Sequence, residues 1–234
     1  MKKYSIIIPT LNERDNILNI IKEIDKNLFV KYEIIFADDN SKDGTIDILK
    51  KIKNKNVKYI INRGSNNLSK SVILAAYKSR YENLIIMDAD LQHDPKYINK
   101  LIEVQNKKNR DIVVACRDFE KITGLSQIRI TASKILTQII FFTLGKIIPD
   151  PMSGFFLIKR KILIKSIPRL YAKGFKILID LISVNKTCNI GIIRINFKNR
   201  AKHKSKMDVK VLLTLKKFSG SKLSCQYSNE LSIK

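Results

Sequence analysis

An apolar run from Asn83 to Met87 breaks off at Asp88-Ala-Asp90, and Gln92 follows two residues later. In an extended segment residues i and i+2 share a face, so both carboxylates can project together where the strand ends. Two carboxylates and an amide oxygen form a set of hard donors suited to Mg2+ or Mn2+, ions that commonly hold phosphate groups against a protein. Asp88, Asp90 and Gln92 are therefore the candidate metal ligands. Taken alone, an Asp-x-Asp fits a solvated turn better than a metal site, and its neighbours decide otherwise.

Two more polar clusters follow apolar runs. Pro9-Thr-Leu-Asn-Glu13 puts an amide and a carboxylate within reach of a sugar or base, while Asn12 would serve as well as a helix cap with Glu13 in the first turn. Asp38-Asp39-Asn-Ser-Lys-Asp43-Gly44-Thr45 is more specific. Asn40, Ser41 and Gly44 suit a plain turn into a helix, but adjacent carboxylates at a strand end repel unless a cation or a hydrogen donor sits between them. An Asp accepting the N–H edge of a nucleobase would meet that need. Arg117, directly after another apolar run, either faces the same edge or lies on the surface as an ordinary arginine. His93 reads as a structural histidine or helix-start residue, and His203, in a lysine-rich run, as solvated.

The elements that must carry these clusters alternate. Strands are expected at 4–8, 32–37, 57–61, 84–87 and 112–115. Helices follow, with Ile17, Ile20, Ile21 and Ile24 on one face, then Ile46, Leu49 and Ile52, then 69–81 and 95–105. This order predicts an α/β fold with a mainly parallel central sheet, helices on both faces, and ligands in the crevice at the carboxyl ends of the strands. Every polar cluster above falls at such an end. Beyond Arg117, residues 115–170 hold ten Lys/Arg against three acids, two apolar helical stretches, the turn Pro149–Gly154 and a short strand at 155–158. Ile193, Ile195 and Phe197 alternate as a strand leading into a basic loop that can fold over the crevice. Residues 218–234 show no periodicity and read as a tail.

At 234 residues and 44% hydrophobic, the chain can build one well-cored domain. Its formal net charge of +24 lies mostly beyond residue 100, since the first hundred residues carry 18 basic and 13 acidic side chains. The partner of the basic part should be anionic. A nucleic-acid-binding protein fits the charge but not its placement, because acids stand at each strand end where phosphates would be repelled. Cys116, Cys188 and Cys225 are too few and scattered for a disulfide framework or zinc site, which points to a reducing cytosol. Only a few apolar residues separate Met1-Lys-Lys from Pro9, so no secretory signal is expected. No run reaches the roughly 18 apolar residues of a membrane span.

Together these stretches resemble the family 2 inverting glycosyltransferases, and among them the polyprenol-phosphate (dolichol-phosphate) mannosyltransferases. The resemblance rests on 5–13, 38–45, 87–93, Asp150-Pro-Met-Ser-Gly-Phe155, Gly174-Phe-Lys-Ile177 and Arg200 with Lys206, and spans about residues 3–208. It implies a GT-A-like nucleotide-binding fold in one domain over 1–217, with a nucleotide-binding half, 1–117, and an acceptor- and membrane-facing half, 118–217, ending in basic amphipathic helices. Pro9, Leu11, Glu13, Phe36 and Asp38 would cradle the nucleoside of a nucleotide sugar. Asp88, Ala89 and Asp90 would hold ribose, diphosphate and metal, with Gln92 as a further metal ligand. Arg117, Arg200 and Lys206 would bind diphosphate and sugar, Asp90 and Arg117 would be the catalytic pair, and Arg129 and Ser133 would take the lipid phosphate. Leu11 stands where the family usually has Tyr, Asn67 where it has Gly, Asp94 where it has Pro, and His203-Lys204 where it has Gly-Glu.

The implied reaction is transfer of a sugar, mannose from GDP-mannose first, to a polyprenyl phosphate with inversion, aided by Mg2+ or Mn2+. A sibling using a UDP-sugar and undecaprenyl phosphate is the alternative. A phosphate monoester is already anionic at neutral pH, so no strong general base is required. The protein is expected to work peripherally at the cytoplasmic face of a membrane, with 128–148 as the candidate contact; the same stretch also reads as a helix pair buried against the sheet. The sequence leaves the oligomeric state open.

Overall fold

The β-branched runs suit a pleated surface buried on both sides, and they are the strands of the sheet. The computed structural model describes residues 2–64, 67–117, 148–172 and 177–196. Its strands are β1 (Tyr4–Thr10), β2 (Tyr32–Asp38), β3 (Val57–Ile61), β4 (Asn83–Ile86), β5 (Ile112–Arg117), β6 (Phe156–Lys159) and β7 (Ile190–Ile195). The helices are α1 (Ile17–Asn27), α2 (Thr45–Lys51), α3 (Leu68–Lys78), α4 (Tyr97–Lys108), α5 (Arg160–Ser166), which runs into a 3-10 turn at Ile167–Arg169, and α6 (Ile177–Val184).

The seven strands lie in the order β3-β2-β1-β4-β6-β5-β7. Six run parallel, and β6 is antiparallel to both its neighbours, β4 and β5. That reversal matters for the site. The beginning of β6 lies beside the ends of the others, so the turn before it reaches the same edge of the sheet. Isoleucines of successive positions serve opposite faces: Ile6 and Ile8 pack with α1, α2 and α4, and Ile7 with α3, α5 and α6. Helices on both faces of a mainly parallel sheet are what the alternating pattern predicts.

Element ends are set by local chemistry. Pro9 is tolerated inside β1 because pairing with β4 stops at Ile7–Ile86, and the N–H that proline lacks would point to that side. The helix expected to reach residue 81 ends at Lys78. There the Arg160 guanidinium donates to the Ala76 and Tyr77 carbonyls at 3.0 and 3.1 Å, and Ser79 Oγ donates to the Ala76 carbonyl at 2.7 Å. These bonds satisfy carbonyls that the helix end leaves open. Among the described residues no helix is long and apolar enough to cross a membrane. The apolar stretches within 118–147, the loop after β7 and the tail lie outside the described residues.

Candidate active site

The loops after β1 and β2 are locked together by side chains. Asn12 and Ser41 meet through the Asn12 N–H donating to Ser41 Oγ at 2.8 Å, and the Lys42 N–H donates to Asn12 Oδ1 at 2.8 Å. The Glu13 N–H donates to Thr45 Oγ1 at 3.0 Å, and the Arg14 N–H to Asp43 Oδ2 at 3.1 Å. Asn12 is therefore a bridge between loops and not a helix cap, and its left-handed φ of 56° suits that bend. Burial alone would raise the Asp43 carboxyl, but hydrogen bonds from Thr45 and the Arg14 N–H hold it below its ordinary value.

The two adjacent acids at the end of β2 have different tasks. Asp38 is fully buried and accepts from Thr10 Oγ1 at 3.0 Å, the Ser41 N–H at 2.9 Å and Ser41 Oγ at 2.6 Å. Its oxygens shape the turn. Asp39 is also buried; its Oδ1 accepts from Asn62 Nδ2 at 2.8 Å and Ser71 Oγ at 3.2 Å. Asp39 Oδ2 has no hydrogen-bond partner, and the Asn67 N–H supports its charge without completing a bond. Burial, with the charge of Asp38 adding to it, pushes the Asp39 carboxyl above its ordinary value against the pull of Asn62 and Ser71. Phe36 lies wholly inside the core, so its ring belongs to the packing and not to a ligand pocket. Pro9, Leu11 and Glu13 are half-buried along the same edge.

At the end of β4, Ala89 is buried in the core and anchors two partly exposed carboxylates, Asp88 and Asp90. Leu91 adopts a left-handed φ of 59°, rare for a branched side chain. The chain thereby turns back, and the Gln92 N–H donates to Asp90 Oδ1 at 3.1 Å. His93 is buried against Phe155, ring centroids 5.3 Å apart, with Nδ1 3.6 Å from Asp88 Oδ2. Burial lowers the His93 imidazole despite the nearby Asp88 and Asp90 charges, so it stays neutral at pH 7.

The turn before β6 supplies the other wall. Asp150 is fully buried and grips Arg117 with two bonds, from Nε at 2.6 Å and Nη2 at 2.8 Å, and also accepts the Arg117 N–H at 3.2 Å. Burial works against the Arg117 charge, but Asp150 overcomes it and keeps the guanidinium more basic than usual. Ser153 Oγ donates to the Ala115 carbonyl at 2.7 Å and accepts the Phe155 N–H at 3.1 Å, which docks the turn on β5. Gly154 lies under the Asp88 carboxylate: a Cβ there would stand 2.6 Å from Asp88 Cγ and closer still to both oxygens. Burial raises the neighbouring Cys116 thiol to about 12, so it is no nucleophile.

Asp88, Asp90 and Asp150 set against Arg117, with His93 neutral, give this corner a formal excess of two negative charges among the described residues. Among the described residues no group of three His, Cys, Asp or Glu side chains is placed to hold a metal by itself. A pair of carboxylates above a glycine left clear for one of them fits a divalent ion shared with phosphate oxygens and water, not a closed protein cage. Within the Asp38-Asp39 pair and the Asp150–Phe155 turn, the sequence did not show that Asp39 keeps the spare oxygen, that Asp150 pairs with Arg117 or that Gly154 lies under Asp88. Arg129, Ser133, Arg200 and Lys206 lie outside the described residues.

Comparison with known proteins bears on this geometry. The model of the glycosyl transferase family 2 matches residues 5–167, which takes in β1 to β6 and both walls of the cleft. The chain belongs to that family. A dolichol-phosphate mannosyltransferase of Pyrococcus furiosus is 34% identical over 216 residues, covering 90% of this chain and 60% of that protein. One from Saccharomyces cerevisiae is 28% identical over 169 residues, covering 68% of this chain and 61% of that protein. The chain thus spans about three fifths of the length of these relatives. In fold it is similar to glucosyl-3-phosphoglycerate synthase of Mycobacterium tuberculosis, solved with Mn2+, UDP-glucose and phosphoglyceric acid. The TM-score is 0.68 at 16% identity, over 92% of this chain and 76% of that one.

Proposed function

We propose that this family 2 chain is a glycosyltransferase that moves a sugar from a nucleotide-sugar donor, GDP-mannose first, to a polyprenyl phosphate, with inversion. It would act as one domain over 1–217, peripherally at the cytoplasmic face of a membrane. The observation that carries the reading is the cleft itself: Asp88 above Gly154 with Asp90 two residues on, and an arginine held by Asp150. The mannosyltransferase names of the relatives support the donor and acceptor classes.

Asp39, with an acceptor oxygen left over after its structural bonds, is the better candidate than Asp38 for the N–H edge of the base. Asp88 and the backbone at Ala89 would meet the ribose and diphosphate. Bound Mg2+ or Mn2+, held by Asp90 and Gln92 with Asp88 beside them, would offset diphosphate charge as the bond to the anomeric carbon breaks. Arg117 would steady the departing diphosphate. The acceptor phosphate attacks as the anion it already is, so a cleft whose histidine is buried and neutral is no obstacle. The work left to the protein is to hold two polyanions together in line.

Thermal shift of the full chain against GDP-mannose, UDP-glucose and other nucleotide sugars, with Mn2+ or with EDTA, tests the reading. Metal-dependent stabilisation by GDP-mannose is expected. A response to UDP-sugars alone would select the sibling reaction with undecaprenyl phosphate, and no response to any nucleotide would overturn the assignment.

A further inference from the structure

We propose that Asn67 is a positioning residue that ties the base-reading Asp39 to the turn at Ala172, so that the two are ordered together when a nucleotide binds. This rests on the reading above of Asp39 as the contact for the base. Asn67 is buried, in extended backbone at the start of α3, and uses both ends of its side chain. Its Oδ1 accepts the Lys70 N–H at 3.3 Å and caps the helix. Its Nδ2 reaches 105 residues along the chain and donates to the Ala172 carbonyl at 2.6 Å.

Each side of that link continues. Toward the nucleotide, the Asn67 carbonyl accepts the Ser71 N–H at 3.2 Å in the first turn of α3, and Ser71 Oγ donates to Asp39 Oδ1 at 3.2 Å. Asn62 Nδ2 closes the cluster, 2.8 Å from Asp39 Oδ1 and 3.3 Å from Ser71 Oγ. These bonds occupy Oδ1 and so set the direction in which the spare Oδ2 points. Away from the nucleotide, the Ala172 N–H donates to Oδ2 of Asp180, on α6, at 2.9 Å. Ala172 has a left-handed φ of 46°, a conformation that is costly for a residue with a Cβ and persists only where its surroundings impose it. Asn67 and Asp180 hold its carbonyl and its N–H. Asp39, Asn62, Asn67, Ser71, Ala172 and Asp180 are all buried, so bulk water does not replace a bond lost at either end. Capping α3 needs only a side-chain oxygen, which serine would supply. The amide of Asn67 is needed for the second bond, and that bond makes the base contact and the Ala172 turn one unit.

The test uses the full chain with Mn2+ and GDP or UDP, whichever the wild type binds more tightly, and with Mn2+ and pyrophosphate, which has no base. Asn67→Ser keeps a capping oxygen and loses the bond to Ala172. It is expected to bind the nucleotide about fivefold more weakly, the size of one ordinary hydrogen bond. Its affinity for pyrophosphate should stay within about twofold of wild type. In hydrogen exchange, the nucleotide should slow the Ala172 amide in the wild type and not in Asn67→Ser, whereas pyrophosphate should slow it in neither. Should Asn67→Ser fail to fold, the exchange measurement on the wild type still decides. The inference is overturned if Asn67→Ser binds the nucleotide as wild type does, or if pyrophosphate binding weakens as much as nucleotide binding. It is overturned equally if Ala172 in the wild type exchanges at the same rate with and without nucleotide. Wild-type protein that binds neither GDP nor UDP would overturn the proposed function with it, whereas normal wild-type binding with no change in Ala172 exchange would overturn this inference alone.

Discussion

Adding one methyl group at Gly154 should separate stability from function. A Cβ at that position would stand 2.6 Å from Asp88 Cγ, with both oxygens nearer, where ordinary contact begins at 3.4 Å. The Asp88 carboxylate must therefore move by roughly 1 Å, a displacement that costs about a hundredfold in rate when it falls at a reacting centre. Folding should hardly notice. Gly154 does not occupy the left-handed region, so alanine fits its backbone, and Asp88, 46% exposed, can swing into solvent. Alanine also restricts the unfolded chain, worth about 0.4–1 kcal/mol in favour of the folded state. Gly154→Ala is thus expected to keep or slightly raise Tm while Mn2+-dependent nucleotide binding, measured by calorimetry, and transfer to a short polyprenyl phosphate fall together. Combined with Asp88→Ala it should add little, because both changes remove the same carboxylate from its place. Transfer by Gly154→Ala within about threefold of wild type, or a fall in Tm matching the fall in activity, would refute the argument that this glycine exists to seat Asp88.

Four other outcomes are expected. Asp38→Ala strands the Thr10 and Ser41 donors and should cost about 2–4 kcal/mol in urea unfolding, whereas Asp39→Asn should weaken nucleotide binding with little loss of stability; the reverse pattern would exchange their roles. Glu33, buried at the other end of the sheet, feels a desolvation penalty, yet bonds from the Arg80 N–H, Ser5 Oγ and Lys58 Nζ hold its carboxyl below the usual 4.5. Its contribution is therefore complete above pH 4.5 and lost as pH falls through the lower folded value, so Glu33→Gln should flatten the acid limb of a Tm–pH curve, and an unchanged limb counts against it. Asp90→Ala, or EDTA on the wild type, should reduce transfer by several powers of ten because diphosphate charge is left unopposed; full activity in either would remove the metal from the mechanism. Flotation with anionic vesicles should carry the protein at low salt and release it at high salt, each Lys or Arg near the surface contributing about 1 kcal/mol, and a protein that stays behind at low salt would end the surface-binding idea.

Much of the sheet is legible in the sequence because β-branched runs cannot easily be anything else: 57–61 matches β3 to the residue, and 4–8 and 32–37 extend by two residues and one. The reversal of β6 is not legible, since Phe155 to Ile158 reads the same in either direction and only its neighbours in space decide. The polar clusters at the strand ends are equally plain, but the division of labour within them is not. Asp38 and Asp39 alternate across the strand, so one of them had to face inward, yet only the partners Thr10, Ser41, Asn62 and Ser71 reveal which oxygen is spare. The charge partner of Arg117 lies 33 residues along the chain, beyond any local pattern. The resemblance implies a nucleoside contact for Phe36, whereas its ring, in the middle of an apolar strand, is buried in the core.

Because β6 slots between β4 and β5 against their direction, the cleft depends on the order in which the chain is made. The strands β3, β2, β1 and β4 can pair as soon as they leave the ribosome, using neighbours already synthesised. β5 cannot join them, since its place beside β4 is reserved for a strand still to come. Until that strand arrives, β4 and β5 each present an open backbone edge of the kind that recruits foreign chains, and the turn bearing Asp150 and Gly154 is not yet held beside Asp88. Closing the sheet and building the second wall of the cleft are a single late event, with the long loop closure that slows such pairings. Substitutions that hinder β6 would therefore lower the yield of finished protein and leave the chemistry of each finished molecule unchanged.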